Sequence, residues 1–373
     1  MKIAQIAPLI ESVPPQHYGG TERIVSYLTE ELVAQGHSVT LFASGDSSTS
    51  AELVPCAPSA LRLNPTVHDA LPYLMVLLDR VRRRADEFDV LHFHVDYLHY
   101  PLFRELAGQT VTTQHGRLDL PDLPILSIAF PEYPLVSISD HQRLPCPERN
   151  WIQTVYHGLP RDLYPFSPAP GGYLAFLGRI CPEKRPDLAV EIARRTGWPL
   201  KIAAKVDRVD QQYFEEVVQP LLRHPLIDFV GEIGDRDKGA FLGGAAALLF
   251  PIDWPEPFGL VMIEAMACGT PVIAFRRGSV PEILEEGLTG YLVDDIEGAI
   301  AAVRRLDRLD RALIRRRFEQ RFTARRMAEN YLGVYHALAR AGELQHAAAI
   351  AAPSAARVAA SAAGDQLASV PAA

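Results

Sequence analysis

Short apolar runs alternate along this chain with longer stretches whose apolar residues recur at helical spacing, a pattern that predicts parallel strands joined by helices. The first half reads as strands at 2–8, 38–43, 90–93, 110–114 and 135–138, with helices at 21–35 and 67–88. A Pro- and Gly-rich stretch at 161–172 breaks the pattern and suits a linker. The alternation then restarts with strands at 173–178, 200–204, 227–230 and 245–251, and helices at 187–195 and 211–222. Two further helices are expected within 306–321 and 323–340, the second carrying Met327, Tyr331, Val334 and Leu338 on one face. The fold class is therefore α/β: two doubly wound units facing one cleft. The last thirty or so residues, 343–373, are Ala-rich without amphipathic order and read as a loosely ordered tail.

Composition narrows the class. With 373 residues, 48% hydrophobic, the chain can bury more than one core, and a net charge of −8 argues against a general nucleic-acid binder. No apolar run reaches membrane-spanning length. Cys56, Cys146, Cys181 and Cys268 are scattered without a C-x-x-C pair, so free thiols in a reducing, cytoplasmic setting are expected. Basic stretches at 80–84 and 304–326 are interspersed with carboxylates, which suits solvated helix faces; peripheral membrane docking is the minority reading.

Chemistry concentrates in W-P-E-P-F-G-L-V-M-I-E-A-M-A-C-G, residues 254–269. The apolar run before it reads as a buried strand, and Phe258, Gly259 and Leu260 open a helix whose free N–H groups make an anion site, with Pro257 suiting its first turn. Glu256, in the loop, can accept from sugar hydroxyls, and Glu264, two turns into the helix, can take a ribose diol. A second cluster, F-L-G-R-I-C-P-E-K-R-P at 176–186, places Arg179 and Lys184 where a strand gives way to a helix; a departing diphosphate needs such cations. In the first half, Gly19 and Gly20 precede a helix, and His115 ends a strand, where open α/β sheets put their ligands.

No convergent carboxylates suit a metal. Asp235-Arg236-Asp237 reads as a helix N-cap, and His92, His94, Asp96 and His99 read as strand-end packing, so no metal and no cofactor are expected. A dinucleotide dehydrogenase is disfavoured because Gly178 lies outside any G-x-G-x-x-G string.

These motifs together resemble the retaining glycosyltransferases of family 4: the E-x7-E block from Glu256 to Glu264, the G-R-x-x-x-E-K string from Gly178 to Lys184, and the Gly19-Gly20 element. The resemblance covers about residues 1–340 and is most specific over 172–293. It implies the GT-B fold: an acceptor-side Rossmann-like domain over 1–165, a nucleotide-sugar domain over 171–320, and a helix at 323–341 crossing back to the first domain. It also implies that Arg179 and Lys184 bind the donor phosphates and that His115 positions the transferred sugar and stabilises charge. The partners would be a nucleotide diphosphate sugar, with UDP-glucose as the lean, and an acceptor hydroxyl. Alternatives are an epimerase of similar fold and a non-catalytic nucleotide-sugar-binding protein. Oligomeric state and acceptor identity are not readable from the sequence.

Overall fold

The computed structural model describes residues 1–16, 19–62 and 64–351, with side chains as far as residue 341. Two all-parallel sheets organise it. The first contains β1 (Lys2–Ile6), β2 (Ser38–Ser44), β3 (Glu52–Ala57), β4 (Val90–Phe93), β5 (Thr110–Thr113), β6 (Leu135–Ser137) and β7 (Trp151–Thr154), in the order β3-β2-β1-β4-β5-β6-β7. The second contains β8 (Leu174–Arg179), β9 (Leu200–Lys205), β10 (Ile227–Gly231), β11 (Ala247–Phe250), β12 (Val272–Phe275) and β13 (Gly290–Val293), in the order β10-β9-β8-β11-β12-β13. Each sheet reverses its winding beside its first strand, at β1/β4 and at β8/β11. A doubly wound sheet opens a crevice at that point, beyond the carboxyl ends of its strands. The loops after β1, β5, β8 and β11 carry the sequence motifs described above.

Strand composition follows position. Central β11, Ala-Leu-Leu-Phe, is buried throughout because helices cover both faces, whereas edge strand β10 alternates between half-buried and exposed residues. Strand β3 was not anticipated: Pro55 weakens its reading as a strand, and proline is tolerated there because β3 lies at the sheet edge. The helix Leu71–Arg83 is shorter at both ends than the expected 67–88.

The helix Arg311–Arg321 begins at Asp310, whose side chain accepts from Ala312 N at 2.8 Å, and buries Ile314 and Phe318 against the helix Leu260–Ala267. After Phe322 the chain crosses back to the first domain. Met327, Tyr331, Val334 and Leu338 pack with Ile24, Leu28, Val90 and Val111. This helix, Ala324–Ala351, runs ten residues beyond the expected end at 341, consistent with the high helix propensity of alanine; the rest of the expected tail, 352–373, lies outside the described residues.

Two segments pass between the domains, and they bind each other: Leu159 N donates to Phe322 O at 2.9 Å, and Ala324 N donates to Leu159 O at 2.7 Å. A Cβ at Gly158 would lie 2.2 Å from Thr323 O, so only glycine fits this crossing. The 161–172 stretch is pinned rather than loose. Tyr164 is buried in the second domain's core, and Arg315 donates to the carbonyls of Arg161 at 2.7 Å and Tyr164 at 3.1 Å.

Candidate active site between the two switch points

A cleft of about 290 Å³ lies between the carboxyl edges of the two sheets. Gly19, Gly20, His115, Arg179, Lys184, Glu256, Phe258, Gly259, Leu260 and Glu264 all line it. Sequence spacing alone could not bring these ten together; the two chain reversals do.

From the second domain, β11 delivers the loop 251–259. Gly259 closes it at φ 80°, a left-handed conformation costly for other residues, and an added Cβ would meet Met262 Cε at 2.7 Å. The helix therefore starts at Leu260, three residues after Pro257, and its first residues, Leu260 and Val261, line the cleft. Glu264, 3% exposed, accepts from Lys238 Nζ at 2.9 Å and Tyr164 Oη at 3.4 Å. Lys238 also pairs with Asp235 at 3.3 Å, and Asp235 pairs across the cleft with Arg23 of the first domain. Asp235 is thus the first residue of the helix Asp235–Gly243 and an ion-pair partner, not its N-cap; Gly234 takes that position.

Glu256 and Lys184, expected to act on sugar and phosphate separately, form an ion pair with each other. Trp254 Nε1 donates to the same carboxylate oxygen at 3.0 Å, and the ammonium lies 5.3 Å from the Phe250 ring centre and 5.1 Å from that of Trp254. Arg179 is likewise surrounded by carboxylates: Glu183 at 3.4 Å, Asp210 at 3.4 Å and Asp207 at 3.9 Å. Burial, opposed by Arg179, holds the Asp210 carboxyl above its ordinary range. Both cations are therefore paired with carboxylates rather than bare.

From the first domain, Gly20 begins the helix Gly20–Ala34 and lies within reach of Leu260: a Cβ there would be 3.8 Å from Leu260 Cδ1. Tyr18, beside this glycine pair, lies outside the described residues. His115 follows β5, with its ring stacked at 16° on His157, centroids 5.3 Å apart. Burial pushes the His115 imidazole down to about 3, so it is neutral near pH 7 and supplies no cationic charge. The expectation that it stabilises charge is corrected to that extent; orientation and hydrogen bonding are what it can offer.

Residues 167–321 match the model of glycosyl transferases group 1, and residues 18–136 match that of glycosyltransferase family 4. The chain belongs to the family 4 glycosyltransferases, with the GT-B fold. A D-inositol 3-phosphate glycosyltransferase of Mycolicibacterium smegmatis is 26% identical over 336 residues, 74% of this chain and 75% of that protein. A phosphatidyl-myo-inositol mannosyltransferase of Mycobacterium leprae is 27% identical over 376 residues, 92% of this chain and 98% of that protein. Among solved structures, the Anabaena HepE protein in complex with UDP and glucose superposes with a TM-score of 0.68 at 18% identity, covering 90% of this chain and 99% of its own.

For a family 4 glycosyltransferase, the most informative residues that the sequence did not reveal are Lys238, Asp235, Arg23 and His157. Lys238 sits one turn into a helix and could have been flagged as the cation facing Glu264; the others depend on contacts across the fold. Arg117 spans the cleft, donating to Asp119 at 2.7 Å and reaching Glu183 of the other domain at 3.3 Å. Among the described residues, no cluster of three or more His, Cys, Asp or Glu side chains is arranged to hold a metal. No described helix is long and apolar enough to cross a membrane.

Proposed function

We propose that this glycosyltransferase is a retaining, metal-independent hexosyltransferase that moves a hexose from a nucleotide diphosphate sugar, with UDP-glucose as the lean, to an acceptor hydroxyl. The observation that carries the reading is the convergence on one cleft of Glu264, Lys184 and Arg179 from one domain with His115 and Gly19-Gly20 from the other. Glu264 takes the ribose hydroxyls. The amides of Gly259 and Leu260, with Lys184 and Arg179, take the diphosphate, whose charge grows as the glycosidic bond breaks. Binding pulls Lys184 toward phosphate and releases Glu256 from its ion pair, freeing that carboxylate to accept from sugar hydroxyls.

Retention then follows from attack on the face the diphosphate leaves, with a departing phosphate oxygen taking the acceptor proton. A double displacement would instead require a carboxylate nucleophile on the sugar's opposite face, a role to which no motif of the sequence points. The HepE complex with UDP and glucose supports the donor lean. The names of the inositol-linked relatives favour a polyol or phosphorylated polyol as acceptor and leave mannose as the competing sugar.

Purified protein would be incubated with UDP-glucose, UDP-N-acetylglucosamine and GDP-mannose, with and without polyol acceptors, while free nucleotide release is followed. Acceptor-stimulated release of UDP from UDP-glucose supports the proposal. Conversion of the sugar nucleotide without release favours an epimerase, and binding without turnover favours a sensor.

A further inference from the structure

A continuous hydrogen-bonded chain leads from the cleft into the first domain and passes through the crossover helix. His115 Nε2 lies 2.9 Å from His94 Nδ1, and His94 Nε2 lies 2.8 Å from Gln5 Oε1. Gln5 Nε2 donates to Tyr335 Oη at 3.1 Å, Tyr335 Oη lies 2.8 Å from His92 Nδ1, and His92 Nε2 lies 2.7 Å from Thr113 Oγ1. Gln5, His92 and Tyr335 are fully buried and His94 nearly so, which leaves these groups little to bond with except each other.

Such a chain has two self-consistent polarities, and the Gln5 amide decides between them. As it stands, Gln5 Oε1 can only accept, so His94 Nε2 carries the proton. A neutral His94 then has a bare Nδ1, which must accept from His115 Nε2–H. A neutral His115 in turn has a bare Nδ1. That atom is buried and has no hydrogen-bond partner among the described residues, while the ring it belongs to lines the cleft. If the Gln5 amide were reversed, every bond would run the other way and His115 would present an N–H instead.

We infer that Gln5, His94 and Tyr335 are positioning residues that hold His115 as a neutral Nε2–H tautomer, so that its Nδ1 accepts a hydrogen bond from a hydroxyl of the bound sugar. The hydroxyl assignment rests on the glycosyltransferase reading above; the tautomer does not. The arrangement ties the sugar side of the cleft to the crossover helix through Tyr335, 330 residues from Gln5 in sequence. It also accounts for polar residues in the interiors of β1 and β4, where an apolar core would otherwise be expected.

The test is a long-range ¹H–¹⁵N imidazole spectrum of the ¹⁵N-histidine-labelled full chain at pH 7, with Gln5→Met and Gln5→Glu alongside. Wild type should show His94 and His115 protonated at Nε2. Gln5→Glu keeps an acceptor for His94 and should keep that pattern. Gln5→Met should move part of the His115 signal to the Nδ1–H form and lower kcat on UDP-glucose about tenfold, the loss of one polar contact, with UDP affinity unchanged. Should Gln5→Met fail to fold, Tyr335→Phe replaces it with the same expectation. A wild-type His115 protonated at Nδ1 overturns the inference, as does a Gln5→Met protein with unaltered tautomer. If no sugar nucleotide is turned over, the functional reading fails, while the spectrum still decides the relay.

Discussion

Acidification from pH 7.5 to 5.5 should destabilise this protein far more than an average one. His92, His94, His99 and His157 are between 0% and 4% exposed, and burial holds each well below the ordinary histidine range. In the unfolded chain they titrate near 6.5. Below that pH the unfolded state binds more protons than the folded state, so stability is fully present above 6.5 and is lost as the pH falls toward the folded values. One unit below 6.5, each group contributes a loss on the order of 1 kcal/mol, and the four together several kcal/mol, a sizeable part of the whole stability of a typical domain. Glu22 and Asp210, held above the usual carboxylate range by burial, return part of this by taking up protons in the folded state first. Urea titrations at pH 7.5, 6.5 and 5.5 at fixed ionic strength, followed by tryptophan fluorescence, would measure the effect. A midpoint that stays flat to pH 5.5 would refute the claim that these imidazoles are held neutral.

Three further outcomes are expected. Gly158→Ala forces a methyl against the Thr323 carbonyl at the domain crossing and should lower stability by about 1–3 kcal/mol, read as an earlier urea midpoint. On the proposed reading that Arg179 and Lys184 supply the charge that a metal would, excess chelator should leave nucleotide release from UDP-glucose unchanged; loss of activity restored by magnesium or manganese would contradict this. Saturating UDP should contract the small-angle scattering profile as the domains close around the paired crossing at Leu159 and Thr323, and an identical profile would count against closure.

Much of the scaffold was legible because long apolar runs such as β11 announce themselves, and because Gly259 and Gly269 bracket a helix of strong propensity. Strands β3, β7, β12 and β13 were not: β3 and β7 are half-solvated edges with little apolar signal, Pro55 argues against β3, and β12 and β13 are runs of only four residues that follow the motif helix. The motif loops were legible, and the residues chosen on them line one cleft. Their pairing was not: the Lys184–Glu256 ion pair joins segments 72 residues apart, and Lys238 reaches Glu264 only because two neighbouring helices pack together. The histidine relay left faint traces, namely Gln5 in a strand otherwise apolar after Lys2, His92 and His94 on one strand face, and Tyr331 and Tyr335 one helical turn apart. Each alone reads as packing, and only the parallel pairing of β1 with β4 unites them.

Titration calorimetry of UDP into wild type, Glu264→Gln and Glu256→Gln tests the donor-site account most directly. Glu264→Gln removes the carboxylate assigned to the ribose and should weaken UDP by about ten- to a hundredfold, the worth of one charge-assisted contact. Glu256→Gln releases Lys184 from its ion pair and should leave UDP affinity equal or higher. Equal weakening by both substitutions, or none by either, would contradict the assignment of this cleft as the nucleotide-sugar site.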